Sequence, residues 1–189
     1  MNQNMLNPCN TRVMIGKTGA SCKRCGSILT DDGWETFGEV SIPFIKVKAA
    51  LESVLNFHQY TPKDMWATDD VECYYSYSDE SSIIEVQIGS GVKNEEVYEI
   101  SVRFAVCNPV GTFEKTLEIC RRLALKLDMN VLDMKLHEVL DFGNELQLMK
   151  SKKKFEEKKE KFISTFDLPI GTISKPLNCA EVFDVLKGK

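Results

Sequence analysis

The sequence predicts an α+β fold: an antiparallel sheet of three to four strands, helices packed on one face, and a C-terminal helical arm. Three observations predict it. Apolar residues alternate at the strand period in three successive runs within residues 71–106, helical stripes flank those runs on both sides, and a lysine-rich helical pattern follows Gly143. With 189 residues, 43% hydrophobic and 28% charged, the chain can bury a core without covalent staples and lies outside the disordered class. No run approaches the ~18 apolar residues of a membrane span, and the opening MNQNMLNPCN lacks the regions of a signal peptide, so a cytoplasmic protein is expected. Seven cysteines, an odd number, suit a reducing compartment as buried thiols or metal ligands.

Three segments follow. Residues 1–40 read as an irregular N-terminal segment carrying Cys22 and Cys25, residues 41–142 as the α+β core, and residues 143–189 as a helical arm. In the core, Ser41 is a candidate N-cap and Pro43 suits a first turn. Phe44, Val47, Leu51, Val54, Leu55 and His58 share one helical face as far as Tyr60, before Thr61-Pro62 breaks the helix. The first strand points Val71, Cys73, Tyr75 and Tyr77 inward, leaving Glu72 and Tyr74 outward. A turn containing Asp79 leads to the second, with Ile84, Val86 and Ile88 inward and Glu85 outward. The third points Tyr98, Ile100, Val102, Phe104 and Val106 inward, with Glu99 and Arg103 outward. Asn108-Pro109 resembles a cap followed by a first-turn proline, opening a helix striped by Phe113, Leu117, Cys120, Ala124 and Leu127. A fourth strand is expected over residues 131–136. Gly143-Asn144 then opens the arm, whose sparse stripe is Leu148, Phe155, Phe162 and Phe166.

Chemistry is thinly signalled. Cys22-Lys23-Arg24-Cys25 is half of a zinc knuckle; with Cys9, His58 or Cys73 as further donors it would make a zinc-stabilised adaptor or regulatory protein, while no other cofactor is indicated. Gly16-Lys17-Thr18 lacks the upstream glycine of a phosphate-binding loop. His58 and His137 stand beside no nucleophile motif, so an enzyme is not expected.

Charge is more informative. Residues 67–101 carry nine acids and one lysine, whereas residues 1–66 carry seven basic and six acidic residues, and residues 102–189 carry 16 basic and 13 acidic. An acidic block repels phosphate backbones, and the lysines of 150–161 are interleaved with glutamates, so neither a nucleic acid nor a membrane is the expected partner. The expected binding surface is an acidic, solvent-facing sheet face made of Asp69, Asp70, Glu72, Tyr74, Asp79, Glu80, Glu85 and Glu99, with the tyrosine as anchor and the carboxylates selecting a basic protein.

The order of VECYYSYSDESSIIEVQIGSG, YEISVRFAVCNP, a helix and LDMNVLD, between Val71 and Asp133, resembles small immunity proteins encoded beside bacterial polymorphic toxins. The resemblance implies a cytosolic, non-enzymatic inhibitor that binds a toxin domain, through acidic side chains where that domain is basic.

Overall fold

The computed structural model describes residues 2–7, 28–30, 33–35, 41–54, 56–60, 73–92, 96–167, 171–174 and 176. Along the chain these form β1 (Asn2–Asn7), β2 (Ile28–Thr30), β3 (Gly33–Glu35), β4 (Ile42–Pro43), α1 (Phe44–Glu52), β5 (Phe57–Tyr60), β6 (Cys73–Ser78) and β7 (Ile83–Val92), then β8 (Glu96–Phe104), α2 (Thr112–Leu127), β9 (Asn130–Asp133), β10 (Glu138–Val139) and α3 (Glu145–Phe166). The class is α+β as expected, but the sheet is wider. Its order is β10-β9-β1-β8-β7-β6-β5, with β4 also on β8, while β2 and β3 pair separately. Every pairing is antiparallel.

The largest difference from the sequence expectation is β1. Asn2–Asn7, expected within an irregular segment, forms a strand paired with β8 on one side (Leu6 with Ile100) and β9 on the other (Leu6 with Val131). Since β8 and β9 are both antiparallel to β1, they run parallel to each other, joined by α2. The expected strand, helix, strand unit is therefore present with another strand inserted through it.

Alternation aims Ile84, Val86 and Ile88 of β7 and Ile100, Val102 and Phe104 of β8 at the helices, and all six are essentially inaccessible to solvent. Val47, Ala50 and Leu51 of α1, Phe113, Ile119, Cys120 and Leu123 of α2, and Phe155 of α3 close the same core. Register shifts at Ser90 change the parity near the start of β8, so Val97 is buried although the alternating pattern pointed it outward. The Tyr98 side chain lies outside the described set.

Three helix boundaries are set by particular residues. The first helix stops at Ser53, whose Oγ donates to the Ala50 carbonyl at 2.6 Å; Asn56 then adopts a left-handed φ of 68°, and the chain turns into β5. His58, expected on the apolar face of a longer helix, is an exposed strand residue. The second helix begins at Thr112 rather than at Asn108-Pro109. The buried Asn108 side chain is engaged elsewhere, donating to the Ile83 carbonyl and accepting from the Ser174 N–H, and Gly111 supplies the φ of 95° from which α2 starts. The third begins as expected, with the Asn144 Oδ1 accepting the Gln147 N–H at 3.1 Å.

That third helix is docked on the core rather than extended from it. Phe155 lies 5.3 Å from the Phe104 ring and stacks on Phe113 at 5.0 Å, and Lys159 covers its face. One and two turns earlier, Ser151 donates to the buried Asp133 carboxylate and the Gln147 amide donates to Glu138 and to the Val139 carbonyl. Buried polar residues with full sets of partners such as these fix the position of the helix as well as its contact. None of the described helices is long and apolar enough to cross a membrane.

Candidate functional site

The structure removes Glu85 from the expected acidic face. Glu85 was expected to face solvent, yet it is 4% exposed, and Ser101 and Leu132 are as deeply buried. The Glu85 carboxylate accepts from the Arg103 guanidinium directly across the strand pair. Burying a carboxylate without its counter-charge would be prohibitively costly, so the pairing follows from the burial, and Glu85 cannot present its charge to a partner.

The remaining acids fall into two groups. Asp79 and Glu80 occupy the turn between β6 and β7, whereas Glu99 pairs with Gly89 at the far end of the same hairpin, about 20 Å along the strand. Glu99 is half-buried and accepts from the Ser101 hydroxyl. Asp69, Asp70 and Glu72 lie outside the described residues, as does the Tyr74 side chain. So do Cys9, Cys22 and Cys25, and the side chain of Cys73. Among the described residues no group of three or more His, Cys, Asp or Glu side chains is placed to hold a metal ion.

The β6–β7 turn is the better-built of the two acidic groups. Asp79 Oδ1 accepts the backbone N–H groups of Ser81 and Ser82, both at 2.9 Å, and Oδ2 accepts from the Tyr77 hydroxyl and from Lys115 at the start of α2. Partial burial pushes the Asp79 carboxyl up, but the hydrogen bonds from Lys115, Ser81 and Tyr77 outweigh it and hold the group well below the usual carboxylate range. Burial and the bond to Asp79 push the Tyr77 phenol up. Lys115 also donates to Ser81 Oγ at 2.6 Å, so the cluster clamps the turn to the start of α2. The rigid turn leaves Glu80 exposed beside it. Lys115 was not singled out by the sequence, because its contact with Asp79 spans 36 residues, from the β6–β7 turn to α2.

A carboxyl whose folded pKa is depressed contributes stability that is complete above its unfolded value of ~3.9 and is lost as pH falls through the folded value. Asp79→Asn is therefore expected to lower stability at neutral pH by about 1–2 kcal/mol and to flatten the loss of stability below about pH 4. Urea denaturation of both proteins between neutral and acidic pH checks this; parallel curves would show that Asp79 gives no pH dependence.

A second feature is a groove of about 420 Å³ between α2 and α3. Phe113, Leu117, Phe142 and Leu148 supply its apolar lining, and Met149 stands on its rim. Charged side chains edge it. Lys152 pairs with Glu114 across the opening, and Glu118 accepts from Arg121 at 2.8 Å and from Arg122 at 2.9 Å, which hold its carboxyl down to about 2. The groove exists because α3 is docked rather than free.

No family model matches the chain, and no curated protein or solved structure matches it.

Proposed function

We propose that the protein is a non-enzymatic binding module for another polypeptide, in its most concrete form a cytoplasmic inhibitor of a basic toxin domain, as in the immunity proteins that the sequence resembles. The observation that carries this function is the clamped β6–β7 turn. Six contacts to the Asp79 carboxylate fix the backbone on which exposed Glu80 stands, so an approaching basic surface meets a negative group without ordering a loop. Charge complementarity at such an edge speeds encounter and selects the partner. Burial of Glu85 narrows the contact from a continuous face to Glu80 and its neighbours, with Glu99 as a separate acidic point.

Immobilised full chain is expected to retain a lysine- and arginine-rich protein from the host lysate at low salt and to release it at high salt. The variant Glu80→Lys/Glu99→Lys is expected to bind the purified partner at least about tenfold more weakly, a loss of about 1.4 kcal/mol. Equal affinity of both proteins for that partner would exclude the acidic contact.

A further inference from the structure

Three of the six large apolar side chains that stand exposed among the described residues, Leu125, Leu146 and Met149, belong to α2 and α3, the two helices that wall the groove. They are 75, 79 and 66% exposed, and Met149 lines the apolar depression itself. On α2, Leu125 continues the row Glu114, Glu118, Arg121 by one further turn.

Charge on the two walls identifies what covers them. On α2, Glu114 and Glu118 precede Arg121 and Arg122; on α3, Glu145 precedes Lys152 and Lys153. Lys152 pairs with Glu114 and Phe155 stacks on Phe113, while Met149 lines the groove with Arg121. The helices therefore run antiparallel, and the acidic end of each wall lies beside the basic end of the other. Rotating a second copy by 180° about the groove axis lays its α2 over the first copy's α3. Glu114 then faces Lys152 of the other copy and Arg121 faces its Glu145, so the Glu114–Lys152 pair made within each chain can be exchanged between copies, and the same contacts recur in reverse. Both signs match at both ends, as an isologous interface requires. At ~24 Å, the 16-residue α2 is long enough to carry this pattern.

We propose that the α2–α3 groove is the interface of a two-fold dimer of this chain, closed by Leu125, Leu146 and Met149 of both copies. This interface uses none of the residues that clamp the β6–β7 turn.

Sedimentation equilibrium of the full chain across the micromolar range is expected to give twice the 21.4 kDa chain mass. Met149→Asp is expected to weaken association at least about tenfold with an unchanged circular dichroism spectrum. Ile45→Asp, which alters an exposed apolar side chain on α1, should leave it intact. Lys152→Glu and Glu114→Lys should each weaken self-association, and mixing the two variants should restore it as a heterodimer, a rescue that the Glu114–Lys152 pair within one chain cannot supply. A single-chain mass throughout, or a Met149→Asp protein that dimerises like the parent, overturns the proposal. A dimeric Glu80→Lys/Glu99→Lys protein that has lost its basic partner separates the two surfaces; undiminished partner binding with dimerisation intact would reject the acidic contact alone.

Discussion

Glu85→Ala is expected to destabilise the protein by about 3–5 kcal/mol, because it removes the carboxylate that faces the Arg103 guanidinium in a site where that side chain is only 12% exposed. The loss should appear as a fall of about 6–20 °C in Tm for a domain of this size. Replacing both members, as Glu85→Leu/Arg103→Met, should recover most of the loss, since two apolar side chains of similar bulk need no mutual neutralisation. Paired urea titrations with unchanged slopes would measure both effects. A single substitution costing under about 1 kcal/mol would mean that water reaches the pair and solvates the remaining charge. The comparison also bears on function. A residue of a partner-binding surface should be replaceable with little effect on the isolated protein, and Glu85 should not be.

Phe155→Ala is expected to cost about 3–5 kcal/mol as well, but in a different place. The ring is the apolar anchor of α3, set between Phe104 of the sheet and Phe113 of α2. Its removal opens a cavity at the junction of three elements and uncovers Lys159. The start of α3 keeps separate ties through Gln147 to Glu138 and through Ser151 to Asp133. Hydrogen exchange should therefore accelerate over residues 156–166 while the amides near Gln147 and Ser151 remain protected. Uniform acceleration along the helix would show that the polar ties contribute nothing without the ring, and unchanged exchange would show that the anchor lies elsewhere. Because the groove is formed between the two helices, the same substitution should also weaken self-association.

Signals confined to a few neighbouring residues were legible in the sequence. Alternation placed Ile84, Val86, Ile88, Ile100, Val102 and Phe104 correctly, Asp79 marked a turn, and Asn144 marked a cap, because each depends on backbone geometry within one element. Features that depend on register or on distant partners were not. Glu85 and Arg103 both looked outward from their strands, and only the register, which the sequence leaves open, sets them opposite each other. Asn108 has the side chain of a helix cap, but tertiary contacts with Ile83 and Ser174 claim it. The first helix continued in the pattern because Leu55 and His58 fall on its apolar stripe, whereas Asn56 can take the left-handed backbone that ends it. The candidate site divides in the same way: the Asp79 turn could be read locally, while its lysine and the α2–α3 groove required the fold.

The placement of β1 between β8 and β9 also governs the order of assembly. Leu6 needs Ile100 on one flank and Val131 on the other, partners about 95 and 125 residues further along the chain. At ~5–20 residues per second, a ribosome takes roughly 6–25 s to deliver the second of them. Throughout that interval the central slot of the sheet has no complete edges to receive the strand. Loop closures of this length make such pairing slow, so the rate-limiting event in folding should be the capture of β1, and the last-formed part of the sheet should be its middle rather than its rim.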